Sequence, residues 1–86
     1  MKVFLPTPLA DYTRHAREVE AEGATLAELF ADLDRRYPGL RFRVIDEQGA
    51  LRPHIKVFVN RVQERSLAAA LAPSDEVLVV AALSGG

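Results

Sequence analysis

The residues with the clearest potential for chemistry are the last four of the 86-residue sequence, Leu83-Ser84-Gly85-Gly86. Glycine lacks a Cβ and reaches backbone conformations that other residues avoid. A segment that finishes in Gly85 and Gly86 is therefore thin enough to thread a narrow channel, and it leaves the α-carboxylate of Gly86 unshielded. The pattern predicts that this carboxylate is the reactive group. The alternative is a frayed end without a role, because chain termini are usually poorly ordered.

The rest of the sequence offers no second reactive constellation. It contains no cysteine, which excludes disulfides, thiolate metal sites and a nucleophilic thiol. Its two histidines, His15 and His54, stand in separate turn-like segments, and we interpret each as an ordinary surface histidine. No Gly-rich phosphate loop, paired-acid site or nucleophile–base pair stands out. The sequence therefore predicts no metal site and no independent enzyme.

Length and charge limit the remaining function classes. A chain of 86 residues predicts one small domain with little room for a deep catalytic pocket. Its 11 basic and 12 acidic side chains give a formal net charge of −1, whereas nucleic-acid binding needs a positive footprint. No apolar run approaches the roughly 18 residues of a membrane span, and no signal-peptide pattern opens the sequence. We expect a cytoplasmic protein that binds neither nucleic acid nor membranes.

The N-terminal part of the sequence predicts a hairpin. Residues 2–5 have the composition of a strand, which Pro6 and Pro8 end because proline cannot donate to a sheet ladder. Residues 9–15 are interpreted as a polar turn. Residues 16–22 alternate between two faces and are predicted to form the second strand.

A helix follows the hairpin. Thr25 and Glu28 have the spacing of a capping box, in which side chains satisfy the first backbone N–H groups of a helix. Pro38-Gly39 ends the predicted helix. Apolar residues at helical spacing predict its buried face, and these are Leu26, Leu29, Phe30, Leu33 and Tyr37.

The C-terminal half predicts three further strands. Residues 40–54 are ambiguous between a strand and a helix, and we favour a short helix or an irregular turn. The alternation of residues 77–82 is apolar on both faces, so this strand is predicted to lie inside the sheet, beside the first strand. The other predicted elements are a strand at 55–59, a turn at Asn60-Arg61, a brief return strand from Val62 and a short turn at 67–71 that Ser66 caps.

This order of elements predicts an α+β fold with the β-grasp, or ubiquitin-like, layout. A mixed sheet of four to five strands would carry one main helix packed on one face, in two layers around one core. We predict a domain at residues 1–82 and a flexible reactive tail at residues 83–86.

Four segments, in this order along the chain, resemble the ubiquitin-like sulfur carriers of the MoaD and ThiS type. Length and the loop before Ile55 make the sequence more similar to the MoaD and cysteine-synthesis carriers than to the shorter thiamine carriers. Two residues and one stretch depart from the usual pattern of the family: Ser74 and Arg61 stand where Gly is common, and the stretch Ala81-Ala82 commonly contains Pro in the family. The segments are Glu22-Gly23-Ala24-Thr25-Leu26-Ala27-Glu28-Leu29, Lys56-Val57-Phe58-Val59-Asn60, Asp75-Glu76-Val77 and Ala82-Leu83-Ser84-Gly85-Gly86.

The resemblance implies chemistry at Gly86 that is performed by other proteins. An adenylyltransferase related to ubiquitin-activating enzymes, similar to MoeB or ThiF, would use ATP and Mg to transfer AMP to the Gly86 carboxylate. Sulfur would then replace AMP to give a thiocarboxylate. A MoaE-like or cysteine synthase-like enzyme would accept the sulfur, in molybdenum cofactor or cysteine biosynthesis. The carrier would be a protein co-substrate without a bound cofactor, for instance as the small subunit of molybdopterin synthase.

If such partners dock on the folded domain, we expect the domain to present an apolar patch. A specific interface typically buries roughly 800 Å² on each side, and a short tail alone buries less. We assign Val77 and Val79 to the side of the last strand that faces the helix. The alternate residues of that strand are then exposed, unless the turn at 67–71 covers them. The predicted partner-binding residues are Phe58, Leu78, Val80, Leu83 and Ser84.

Two functions of other classes remain open. One is a ubiquitin-like modifier that is conjugated to lysines through Gly86. The other is a β-grasp interaction module with an incidental tail, in which Gly85 and Gly86 have no function.

Overall fold

Five short strands form one mixed sheet in the computed structural model, which describes residues 1–81. Their order across the sheet is β2-β1-β5-β3-β4; β1 runs parallel to β5, and the other neighbours are antiparallel. This arrangement confirms the predicted β-grasp fold and places the apolar last strand in the centre of the sheet. The strands are β1 (Lys2–Phe4), β2 (Glu18–Glu20), β3 (Ile55–Val59), β4 (Val62–Glu64) and β5 (Glu76–Ala81).

The main helix, α1 (Leu26–Arg36), begins where the capping box predicts. The hydroxyl of Thr25 accepts a hydrogen bond from the backbone N–H of Glu28 at 3.2 Å. The Glu28 carboxylate accepts a bond from the backbone N–H of Ala24 at 3.3 Å, one residue before the usual partner in this motif. The cap therefore fixes both the helix start and the chain that enters it.

The turn at residues 67–71 completes the helix start. The N–H groups of Leu26 and Ala27 donate to the carbonyls of Ala69 and Leu67, at 3.2 Å and 2.8 Å. The first N–H groups of a helix lack partners within the helix, so these bonds satisfy donors that burial would otherwise leave unpaired. This turn consequently lies against the N-terminal end of α1.

The core lies between α1 and one face of the sheet. Leu26, Leu29, Phe30 and Leu33 are fully buried, and Tyr37 packs against them at the edge of the core. Full burial of one such aliphatic or aromatic side chain contributes about 1.5–3 kcal/mol. The sheet residues that meet the helix are Val3, Val19, Ile55, Val57, Val77 and Val79.

The ambiguous segment after α1 forms a short second helix, α2 (Leu40–Val44), as favoured from the sequence. Leu40 and Val44 are buried, and Ile45 pairs with Leu51 in an isolated antiparallel bridge. The segment therefore adds apolar side chains to the core and then returns the chain to β3.

The prediction of a polar turn at residues 9–15 was wrong for most of that segment. A 3₁₀ helix spans Thr7–Thr13, and Leu9, Ala10 and Thr13 are buried. Two prolines at its start fix the backbone torsion that a helical turn requires. The hydroxyl of Thr13 lies 3.1 Å from the carbonyl oxygen of Ala10 and 2.6 Å from that of Ala16, so its burial leaves no unpaired polar group. The apolar residues at the start of this segment therefore extend the core.

In the part of the chain that the structure describes, each helix falls short of the length and apolarity that crossing a bilayer requires.

Candidate functional site

An apolar surface lies on the sheet face opposite α1. Along β5, Val77 and Val79 are 0% and 1% exposed, whereas Leu78 between them is 44% exposed. Leu78 pairs with Phe4 of β1 and with Phe58 of β3, both of which are half-buried. Residues that pair directly across strands place their side chains on the same face. We term Phe4, Phe58, Leu78 and Val80 the open-face patch.

The open-face patch contains a shallow depression of about 580 Å³. Its floor is apolar, and polar side chains stand at one end. This combination suits an apolar side chain of another protein with polar contacts beside it. The lining residues are Phe4, Phe58, Asn60, Arg61, Glu76 and Leu78.

A hydrogen-bonded clamp holds the polar end of the depression. The side-chain amide of Asn60 donates to Asp75 Oδ1 at 2.8 Å, and its oxygen accepts from the backbone N–H of Glu76 at 2.9 Å. Asp75 Oδ2 also accepts from the N–H of Ala72 at 2.8 Å. The bond from Ala72 and then the one from Asn60 lower the pKa of the Asp75 carboxyl, because both stabilise its charged form. The turn between β3 and β4 is thereby fixed to the start of β5.

The structure brings together two of the residues that the sequence predicts for partner binding. Phe58 and Leu78 face each other in the open-face patch. Val80 lies on the same face of β5, two residues beyond Leu78, and pairs with Lys56 of β3. The turn at 67–71, which would have covered these residues in the alternative interpretation, lies at the start of α1. The other predicted site residues, Leu83, Ser84, Gly85 and Gly86, lie outside the described residues.

Four residues that line the depression were not predicted as binding residues from the sequence: Phe4, Asn60, Arg61 and Glu76. Phe4 follows the buried Val3, so alternation along β1 assigns it to the open face once β1 is placed beside β5. The sequence places Asn60 and Arg61 correctly in a turn, but it gives no signal that this turn borders the patch. That information comes only from the pairing of β3 with β5.

The depression lies in the first half of β5, whereas the predicted reactive tail follows the last residues of this strand in the sequence. The depression is at Glu76 and Leu78, and the described part of the strand ends at Ala81. Three to five residue steps of about 3.3 Å separate the depression from Ala81, a distance of roughly 10–17 Å. A protein that binds the depression and also reaches the residues after Ala81 therefore contacts this chain in two separate places.

The open-face patch is a surface of the kind that another protein binds. Within residues 1–81, no three His, Asp or Glu side chains converge in a way that would hold a metal ion. Three apolar and three polar residues line the depression. This geometry supports recognition by another protein.

Comparison with known proteins agrees with the fold and the sequence pattern. The ThiS family matches residues 3–86. The sulfur carrier protein CysO of Mycobacterium tuberculosis (strain ATCC 25618 / H37Rv) is 34% identical over 89 residues, which cover 98% of this chain and 96% of that protein.

Solved structures show the same similarity in three dimensions. The matched chain in the crystal structure of the Amycolatopsis orientalis BexX/CysO complex has a TM-score of 0.90 and 32% identity, covering 99% of this chain and 98% of that one. The crystal structure of SAMP1 from Haloferax volcanii has a TM-score of 0.80 and 31% identity, covering 100% and 98%. The chain therefore belongs to the ThiS family and is a homologue of the sulfur carrier protein CysO.

Proposed function

We propose that this protein carries sulfur as a thiocarboxylate on Gly86. The proposal rests on the match to the ThiS family, which extends through residue 86 and therefore includes both Gly85 and Gly86. Gly86 would supply the reacting carboxylate. Gly85 would keep the segment thin enough to enter the active site of an activating enzyme.

Activation requires a partner that supplies ATP and Mg. The Gly86 carboxylate oxygen attacks the α-phosphorus of ATP, which forms an acyl-adenylate and releases pyrophosphate. A sulfide donor then attacks the acyl carbon and displaces AMP, so that one sulfur replaces one oxygen. An acyl-adenylate is a far better acyl donor than a carboxylate, and this explains why the carrier needs no catalytic side chain of its own.

The folded domain would hold the partner while the tail reacts. Five residues reach at most roughly 17 Å when fully extended, and such a segment buries little surface. The open-face patch adds apolar area at a second place, and we assign Phe58, Leu78 and Val80 to it as docking residues. Leu83 and Ser84 would contact the partner along the tail. Residues 1–82 would act as the docking domain and residues 83–86 as the reactive segment.

The sulfur acceptor is a second partner protein. The similarity to a CysO that was crystallised as a BexX/CysO complex supports the inference that the same fold docks a further protein besides its activator. Similarity to CysO favours cysteine biosynthesis over molybdenum cofactor biosynthesis as the pathway that receives the sulfur.

An ATP–pyrophosphate exchange assay tests the activation step. The chain is incubated with a MoeB- or ThiF-like adenylyltransferase, ATP and Mg, with a variant that lacks Gly85 and Gly86 as the control. We expect exchange with the complete chain and none with the shortened variant. Equal exchange from both would show that Gly86 is not the acceptor of AMP and would favour a module with an incidental tail.

A second candidate function is protein modification through Gly86. It is favoured by the similarity to SAMP1 from Haloferax volcanii, which is a small archaeal modifier protein. Activation would begin in the same way, but a lysine amine would replace sulfide as the nucleophile. Protein-sized adducts on the intact chain would indicate conjugation, whereas exchange of one oxygen for one sulfur would indicate sulfur carriage.

A further inference from the structure

Arg61 occupies a backbone position that suits glycine better than arginine. The turn between β3 and β4 consists of Asn60 and Arg61, and both have positive φ, 49° and 72°. Two-residue hairpin turns of this kind favour Asn followed by Gly, because a Cβ is unfavourable in the left-handed region. Glycine would serve the backbone of this turn better, and Arg61 differs from the other residues with positive φ outside the turn because it lines the depression.

The clamp around Asn60 fixes where the Arg61 side chain begins. Besides the two side-chain bonds of Asn60, its backbone N–H donates to the carbonyl of Glu76 at 2.9 Å. Arg61 therefore leaves the chain from a turn that is bonded directly to β5. Arg61 is one of the residues that line the depression, together with Phe58 and Leu78.

The charges on the open face are unevenly paired. On the β2 side, Glu18 lies 3.9 Å from Lys2, and Glu20 lies 3.4 Å from the α-amino group of Met1. Glu76, at the rim of the depression, is in register with Lys2. Among residues 1–81, by contrast, no carboxylate lies within ion-pair distance of Arg61. Its guanidinium is thus available to a partner.

We propose that Arg61 is a specificity-determining contact that binds a carboxylate of the adenylating enzyme, while an apolar side chain of that enzyme fills the depression. This inference rests on the proposed function. Under the proposed function the adenylating enzyme binds Gly86, which follows the depression by roughly 10–17 Å of strand and up to roughly 17 Å of chain, and a macromolecule is large enough to contact both places. An arginine suits this role because its planar guanidinium binds a carboxylate through two hydrogen bonds.

The distance between Arg61 and Gly86 determines which kinetic parameter of adenylation a substitution of Arg61 changes. A contact so far from Gly86 is made equally in the ground state and in the transition state of adenylation. Loss of such a contact raises KM and leaves kcat unchanged. A contact at the rim of an interface is also weakened by salt.

The test measures the KM and kcat of adenylation for the wild-type protein, Arg61→Gly, Arg61→Lys and Arg61→Glu. At low ionic strength we expect KM to rise at least five-fold for Arg61→Gly and further for Arg61→Glu, with Arg61→Lys intermediate and kcat unchanged. The difference between Arg61→Gly and wild type should shrink as salt increases. Arg61→Gly should melt no lower than wild type, because glycine suits the left-handed position.

Arg14→Gly is the matched control. Arg14 is also an exposed arginine with positive φ, 56°, and it caps the 3₁₀ helix away from the depression. Its replacement removes the same charge and the same unfavourable backbone position, and we expect wild-type KM.

A wild-type KM for Arg61→Gly would overturn the inference, as would an equal rise in KM for Arg14→Gly. A defect confined to sulfur transfer to the acceptor would also overturn the assignment to the adenylating enzyme. In each of these cases the proposed function stands, since the wild-type protein is still adenylated. If the wild-type chain accepts no AMP, both the inference and the proposed function fail.

Discussion

Phe58 and Leu78 lie directly opposite each other on β3 and β5, and Phe4 is the neighbour of Leu78 on the other side. This row places two aromatic rings and one leucine on the sheet face that α1 leaves uncovered. The same strand supplies Val77 and Val79 to the core. β5 therefore links three roles: it anchors the core, presents the open-face patch and leads toward Gly85 and Gly86.

Replacement of Leu78 by glutamate should abolish partner binding without unfolding the domain. Leu78 is 44% exposed, so its replacement should change the free energy of unfolding by about 1 kcal/mol or less. A charge in the centre of the apolar patch should weaken binding of the adenylating enzyme by about 2 kcal/mol or more. Urea denaturation and a binding titration measure the two quantities.

Val79→Glu provides the control for Leu78→Glu. Val79 is one residue further along the strand and 1% exposed on the core side, so a glutamate there would be buried without a partner. It should cost about 3 kcal/mol or more and unfold the protein. If Leu78→Glu unfolds the domain and Val79→Glu does not, the assignment of faces is reversed.

Gly86→Ala should weaken or abolish adenylation, because a Cβ beside the carboxylate crowds the reacting carbon. Gly85→Ala should impair entry of the tail into the active site and should therefore reduce kcat/KM. Both variants should retain the wild-type melting temperature. Pyrophosphate exchange measures the effect, and a wild-type rate for Gly86→Ala would disprove the proposed steric requirement at this position.

The local elements could be predicted from the sequence because their signals are contained in a few neighbouring residues. Thr25 and Glu28 mark the helix start, and the alternation of β5 separates Val77 from Leu78. The 3₁₀ helix at Thr7–Thr13 was missed because Pro6 and Pro8 were interpreted only as the end of a strand. The contribution of Arg61 to the depression depends on contacts between distant strands, and these leave no local pattern.

Gly23→Ala should destabilise the protein through a steric clash. A Cβ at Gly23 would overlap the backbone nitrogen of Leu29 and lie 2.8 Å from its Cα, and the helix backbone cannot shift easily. We expect a loss of about 2 kcal/mol or more in urea denaturation. Gly49→Ala serves as the comparison, because a Cβ there meets nothing within 4 Å and only the positive φ of 82° opposes it.

The cost of Gly49→Ala should be about 1 kcal/mol. If Gly23→Ala lowers the free energy of unfolding no more than Gly49→Ala does, the chain at Gly23 does not pack tightly against α1.

Asp32 should make the free energy of unfolding depend on pH in the acidic range. Its carboxylate accepts hydrogen bonds from the backbone N–H of Glu22 at 2.9 Å and from the side chains of Arg35 and Arg36. The bond from Glu22, and then those from the arginines, lower the pKa of Asp32 from 3.8 to about 2. A lowered pKa in the folded state stabilises the protein above the ordinary pKa, and this contribution is lost as pH falls from about 4 toward 2.

Asp32→Asn isolates this contribution. At neutral pH the variant should be less stable than wild type by on the order of 1 kcal/mol, since solvent screens the partly exposed ion pairs. The difference between the two proteins should diminish as pH falls through the lowered pKa. Urea denaturation at several pH values measures it, and a difference that stays constant between pH 7 and pH 2 would contradict the assigned role of Asp32.

The mass of the intact protein tests sulfur carriage most directly. The chain is incubated with ATP, Mg, a sulfide donor and a MoeB- or ThiF-like adenylyltransferase and then weighed by mass spectrometry, with the variant lacking Gly85 and Gly86 treated in parallel. We predict that the complete chain gains the mass difference between one sulfur and one oxygen and that the shortened variant does not change. An unchanged mass for the complete chain, under conditions in which the same enzyme thiocarboxylates a known carrier, would contradict the proposed function.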